Sequence, residues 1–221
     1  MIEPAGSAGR DRVLDPVDRN SELLFGLFMV LSFTGTLSVA TAGREDVRTM
    51  LIAAIGCNAA WGFVDGMMYV LRNLVGRGRD AAFVRSVRDA ADPARGRALV
   101  AGGLGRLAPA LDDAALERVR QWLQALAPSL PERPRLQRRD LLGALAVFLL
   151  VFLSTFPVVL PFVFIADLRT AMRVSGAIAL AMLFVCGWNW GRYAGSSPLR
   201  AGTTMMLLGV AIEGVVIALG G

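Results

Sequence analysis

The sequence predicts an all-α integral membrane protein: five transmembrane helices, with a small cytoplasmic helical insert between helices 2 and 3. Three observations predict it. Five apolar segments, about 22–42, 49–72, 140–165, 173–192 and 201–220, each approach the ~20 residues a helix needs to cross a hydrocarbon core of about 30 Å. Arginine crowds the longest stretch between them. That stretch has helical periodicity of its own. Composition agrees: 55% of the 221 residues are hydrophobic and the mean hydropathy is +0.54, against roughly 45–50% apolar in a soluble domain.

Residues 1–21 form a polar N-terminal segment with no apolar run of the kind a cleavable signal peptide requires, so the first span is expected to serve as an uncleaved anchor. Residues 22–75 carry transmembrane helices 1 and 2. Orientation follows from arginine placement, because arginine-rich loops stay in the cytoplasm. Residues 72–139 hold fourteen Arg against seven Asp and Glu, and "GRYAGSSPLR" carries two Arg and no acid. Both are therefore placed inside. The opposite loops, "GREDVR" and "DLRTAMR", offset their arginines with acids. Five spans then leave the N-terminus in the cytoplasm and the C-terminus outside, in a cell (inner) membrane.

Residues 76–138 are the cytoplasmic insert. "DAAFVRSVRDAA" and "DDAALERVRQWLQAL" both read as helices. In the second, Ala115, Leu116, Val119, Trp122, Leu123 and Leu126 form one stripe, with Asp112 as N-cap and Pro128 as terminator. "DPARGRALVAGGLGRLAPAL" is a weaker helix loosened by Gly102 and Gly103, and "PSLPERPRLQRR" is a stiff return linker. Residues 139–221 hold transmembrane helices 3–5, the first containing Pro157 and Pro161 in "FPVVLPF". Such prolines free backbone carbonyls that can face a cavity, but they are also common in membrane helices with no such role, which is the preferred reading.

The net charge of +5 fits anionic lipid headgroups at the insert. No nucleic-acid-binding motif occurs, so nucleic acid is not an expected partner. All 23 basic residues are Arg. Cys57 and Cys186 both fall inside apolar spans, which argues against a disulfide framework. Histidine is absent, and there is no Cys-x-x-Cys, phosphate-binding glycine loop or nucleophile elbow. An enzyme is not expected, nor is any catalytic residue or permanently bound cofactor.

Ionisable groups inside spans are costly and therefore point to function. On helix 2, Leu51, Ala54, Asn58, Gly62, Asp65 and Tyr69 share one face at 100° per residue. Met68 flanks that face and Met67 points away. Gly62 and Gly66 form a small-xxx-small pair that lets another backbone approach, which raises the expectation of a homodimer meeting there. Helix 1 places Glu22, Gly26, Met29 and Thr36 on one face, with Glu22 at the cytoplasmic mouth. Glu213, deep in helix 5, is either a proton carrier or a structural partner of Asn189 on helix 4. Carboxylates beside thioethers suit ferrous or manganous ions, so Asp65, Asn58, Met29, Met68 and Glu22 are the candidate path residues. The alternatives are a structural, hydrogen-bonded carboxylate for Asp65, a snorkelled interface charge for Glu22 and, as the preferred reading of that residue, lipid-facing packing for Met29.

Three stretches resemble the vacuolar iron transporter family. "RNSELLFGLFMVLSF" is similar to its opening helix, "FPVVLPF" to its proline-containing third helix, and "GRYAGSSPLRAGTTMMLLGVA" to its fourth-to-fifth helix turn. The layout of two spans, an insert and three spans is also similar. The resemblance implies a homodimeric transporter that exchanges a divalent metal, chiefly ferrous iron, for protons, with carboxylates and methionines of the first two helices lining the path at the dimer axis. The chain departs from the family pattern at three places. An Asp-Gly pair in the first helix is replaced by Met29-Val30, the acid early on helix 2 corresponds to Asn58, and the Glu/Met-rich insert is here rich in Arg, with Glu117 and Glu132 and no Met. Two functions stay open: transport of Fe2+ or Mn2+, and a non-transporting scaffold or assembly factor whose insert binds lipid or a protein partner.

Overall fold

A computed structural model of the protein describes residues 14, 16–35, 44–129, 131 and 133–219. Thr36, Glu132, the rest of the expected first span to residue 42, and both termini lie outside them. Seven α-helices form from the described residues: α1 (Pro16–Gly35), α2 (Arg44–Arg88), α3 (Pro93–Leu104), α4 (Asp113–Leu126), α5 (Arg138–Phe164), α6 (Leu168–Tyr193) and α7 (Pro198–Ala218). No strand occurs among the described residues. Two compact units result. One combines α1, α2 up to Tyr69, α5 from Leu141, α6 and α7; the other is Val70–Asp140.

Helix α2 is 45 residues long and unbroken, because nothing between Arg72 and Arg88 interrupts it: no proline, and two glycines, Gly76 and Gly78, whose Cβ positions are open or loosely packed. Helix α5 also runs straight through Pro157 and Pro161 to Phe164, so "FPVVLPF" does not break the helix. A neighbouring helix supports the region, since Ser175 Oγ on α6 donates to the Val158 carbonyl at 2.7 Å.

Four helices, α2, α5, α6 and α7, are long and apolar enough to cross a membrane; α1 is described over twenty residues. Their surfaces say the same. Ile52, Phe63, Leu153, Val163, Leu207 and Val215 are exposed, and only 11% of the apolar window of α7 is buried. A soluble protein rarely leaves so continuous an apolar surface to water. The chain is a multi-pass, all-α membrane protein.

The core of the first unit is built by Leu27, Val30 and Leu31 of α1, Ala54 of α2, Val158 of α5 and Leu183 of α6. Helices α6 and α7 are antiparallel and close. A Cβ on Gly187 would stand 2.7 Å from the Ala201 carbonyl, and one on Gly202 3.0 Å from that of Phe184. The tight turn between them uses Gly195 at φ +65, a conformation that side chains disfavour, and Pro198 opens α7 at its first turn.

In the second unit Val84, Val87, Val100, Leu116 and Leu123 form the core. Asp92 and Asp112 cap α3 and α4 by accepting from Arg95 N and Ala115 N, each at 2.7 Å. Helix α4 ends at Leu126, just before Pro128. Trp122 departs from the sequence expectation: it is 63% exposed, because α4 buries a narrow stripe centred on Leu116 and Leu123.

Candidate functional site

Helices α1, α2 and α5 meet along a polar seam within the first unit. Asn58 is fully buried at its centre. Its Nδ2 donates to the Gly26 carbonyl of α1 at 3.2 Å and to Thr155 Oγ1 of α5, so one side chain ties three helices together. The helices approach closely there because glycine makes room. A Cβ on Gly26 would overlap Ser154 Oγ and stand 2.8 Å from the Val151 carbonyl. Cβ atoms on Gly62 and Gly66 would stand 3.0 Å from Phe148 O and 2.8 Å from Ala144 O. The small-xxx-small pair is therefore occupied by α5 of the same chain. Its expected use as a dimer contact is corrected: no second backbone can enter where α5 already lies.

Asn58 Oδ1 and Asp65 Oδ2 are both buried without a hydrogen-bond partner. They lie on the same face of α2, seven residues or about 10 Å apart. Buried acceptors normally find donors, and each one left unmade costs about 1–3 kcal/mol. Among the described residues no group of three or more Cys, Asp or Glu is placed to hold a metal ion. What the seam offers is a succession of oxygen acceptors rather than a closed cage.

The inward face expected for α2 is the one observed: Ala54, Asn58 and Gly62 are buried, and Leu51, Asp65 and Tyr69 half-buried. Met68 is 56% exposed and Met67 also faces outward. Met29 and Glu22 are half-buried on α1, and Glu22 engages a partner. Phe25 stacks edge-on against Trp61, while Gly26 meets Asn58. This register puts Glu22 toward the Asp65 end of the seam and Met29 toward the other. Sequence reasoning missed Ser154 and Thr155. Two adjacent hydroxyls in an otherwise apolar span were the available signal.

Glu213 belongs to a different seam. A carboxylate oxygen of Glu213 lies 3.9 Å from where a Cβ on Gly176 would be, and its Cγ is equally near that of Gly35. The antiparallel register that sets Gly187 against Gly202 brings Asn189 opposite the start of α7, about 20 Å from Glu213. The expected Asn189 partnership is therefore corrected.

In the second unit, Arg77 holds Asp140 through two bonds of 3.0 and 2.7 Å, and Gln137 N donates to the same carboxylate at 2.8 Å. Glu117 accepts from Arg120, Gln121 and Arg97. The Arg120 guanidinium is the main cause that pushes its carboxyl down to about 2, with Gln121 and Arg97 adding to it against partial desolvation. A carboxylate so committed to arginines is not free to collect cations.

The VIT family model matches residues 105–221, just over half of the chain. The chain belongs to the vacuolar iron transporter family. Members of this family are membrane metal-ion transporters rather than enzymes. No match is found among curated proteins. The matched stretch runs from the turn after α3 through α7, so the family assignment rests on the second half of the chain. Asn58 and Asp65 lie outside the matched stretch.

Proposed function

We propose that the chain moves a divalent metal ion, Fe2+ or Mn2+, across the membrane in exchange for protons, along the α1/α2/α5 seam. The observation that carries this reading is the pair of buried, unpartnered acceptor oxygens, Asn58 Oδ1 and Asp65 Oδ2, on one face of a membrane-crossing helix. Water or a passing cation would satisfy them. Asp65 supplies the charge that offsets part of the ion's lost hydration, and it takes up a proton when the ion leaves. Asn58 orients a neutral oxygen because its Nδ2 is already committed. Glu22 stands toward the Asp65 end of the path, and Glu213 on α7 is a separate proton-exchanging group.

In this reading α1 is the first of five spans, and the arginine-rich Val70–Asp140 unit is cytoplasmic, touching anionic headgroups. The protein is a homodimer whose copies meet on the exposed apolar face of α2 that bears Trp61, Val64 and Met68, rather than at Gly62 and Gly66. That placement puts Met68 at the contact beside the half-buried Asp65. The experiment is uptake of Fe2+, Mn2+ and Zn2+ into proteoliposomes holding the full chain, with an internal pH dye. Metal uptake coupled to proton movement in the opposite direction supports the reading. A stable, correctly inserted protein that moves none of the three ions would leave the scaffold function in its place.

A further inference from the structure

A groove of about 700 Å³ opens between the N-terminal part of α1, the first half of α5, and α6. That volume is within the ~300–1,000 Å³ of small-ligand sites. Its walls are apolar, chiefly Leu149, Leu150, Leu153 and Met182, while Arg19 and Tyr193 line it as well. No acidic side chain is among its described lining residues. Of its three polar lining residues, Arg19 and Tyr193 stand at helix ends, while Ser154 lies deeper with its hydroxyl donated to the Val151 carbonyl. Tyr193 is the last residue of α6, and Arg19 lies in the first turns of α1, the antiparallel neighbour. Met182 is eleven residues further into α6, about 16 Å along its axis. The groove therefore runs from a charged mouth at the helix ends to a floor about half a bilayer core away that is apolar except for the Ser154 hydroxyl, already bonded within its own helix.

We propose that this groove binds one anionic diacyl phospholipid per protomer. One acyl chain lies along the leucines of α5, and the phosphate is held by the Arg19 guanidinium and the Tyr193 phenol. The match is of charge and of length together. A guanidinium pairs well with phosphate oxygens, and the depth is that of one leaflet. A free phosphate would use the mouth but leave the apolar wall uncovered. Arg192 and Arg200, also at this end of α6 and α7, with Arg19 outnumber the acids Asp18 and Glu22 at the start of α1, and this balance favours anionic over zwitterionic headgroups. The proposal rests on the helices crossing a membrane but not on metal transport.

The test is native mass spectrometry of the full-length protein in mild detergent, titrated with phosphatidylglycerol or phosphatidylcholine, with inorganic phosphate as a competitor. The expected result is one phosphatidylglycerol retained per protomer, preferred over phosphatidylcholine about five-fold, the effect of a single arginine at an anionic surface. Phosphate should not displace it. Arg19→Gln should remove the preference, and Leu150→Trp should remove retention of both lipids. If Leu150→Trp does not fold, Ala146→Leu narrows the same groove more gently. Equal retention of the two lipids by the wild type would overturn the proposal, as would an unchanged preference in Arg19→Gln, displacement by phosphate, or a lipid-free dimer broken by Leu150→Trp. Resistance of each variant to alkaline extraction, together with its metal flux, is read separately, so loss of lipid binding is distinguishable from failure of membrane insertion or of transport.

Discussion

Replacing Asn58 by alanine removes a side chain that is fully buried and joined to two other helices. Two interhelical hydrogen bonds disappear, to the Gly26 carbonyl and to Thr155. Such bonds between membrane helices average about 0.6 kcal/mol and reach about 1.7, so the pair contributes roughly 1–3 kcal/mol. A small void adds to the loss, and removal of the unpartnered Oδ1 offsets part of it. The net expectation stays at about 1–3 kcal/mol, or roughly 3–10 °C in Tm for a chain of this size. Thermal unfolding in detergent, followed by far-UV circular dichroism, reads this directly. A cycle with Thr155→Val separates the clamp from simple packing: the double variant should lose less than the two single losses added together. An Asn58→Ala protein as stable as wild type, or strictly additive losses, would refute the three-helix clamp.

Gly66→Leu should destabilise the protein by about 1–3 kcal/mol, because even its Cβ would meet the Ala144 carbonyl of α5 and only a backbone shift could relieve the overlap; an unchanged Tm would mean that α5 does not occupy this face. A cysteine placed at position 62 should be unreactive toward a second copy, whereas one at Met68 should cross-link. Glu117 provides a pH signature. Its depressed carboxyl stabilises the folded protein fully above the ordinary glutamate range near 4.5, and this contribution is lost as pH falls toward about 2. Glu117→Gln should therefore flatten the acid limb of the stability profile of the full protein; an identical limb would remove the arginine cluster as its cause. The arginine-rich unit should make binding to vesicles of the intact protein's soluble face salt-sensitive, and binding unchanged between low and high salt would argue against a headgroup contact.

Much of the fold was legible because helix periodicity and span length are local properties. The buried face of α2 follows from Ala54, Asn58 and Gly62 alone, and the caps at Asp112 and Pro128 from residue type. What was not legible depended on which helix stands opposite. Gly62 and Gly66 announce a close backbone without naming it, and the neighbour is α5 of the same chain. Glu213 and Asn189 share a helix pair, but only the antiparallel register of α6 and α7 shows them to be far apart. Trp122 lies on the edge of an apolar stripe, and stripe width is set by how closely α3 and α2 pack, which periodicity does not report. For the site, the carboxylate was visible in the sequence. The clamp around Asn58, two turns away on the same face, was not, because Thr155 and the Gly26 carbonyl are brought to Asn58 only by tertiary packing.

The central claim, that the Asp65 carboxylate lies on the cation path, is tested most directly by metal flux in proteoliposomes carrying Asp65→Asn beside the wild type. Asparagine keeps the size and hydrogen-bonding capacity of the side chain and removes its charge. The expected result is loss of Fe2+ and Mn2+ uptake, and of its dependence on pH, in a variant that is inserted and as thermally stable as the wild type. Unchanged uptake by a stable Asp65→Asn protein would contradict the claim and make Asp65 a packing residue of the seam.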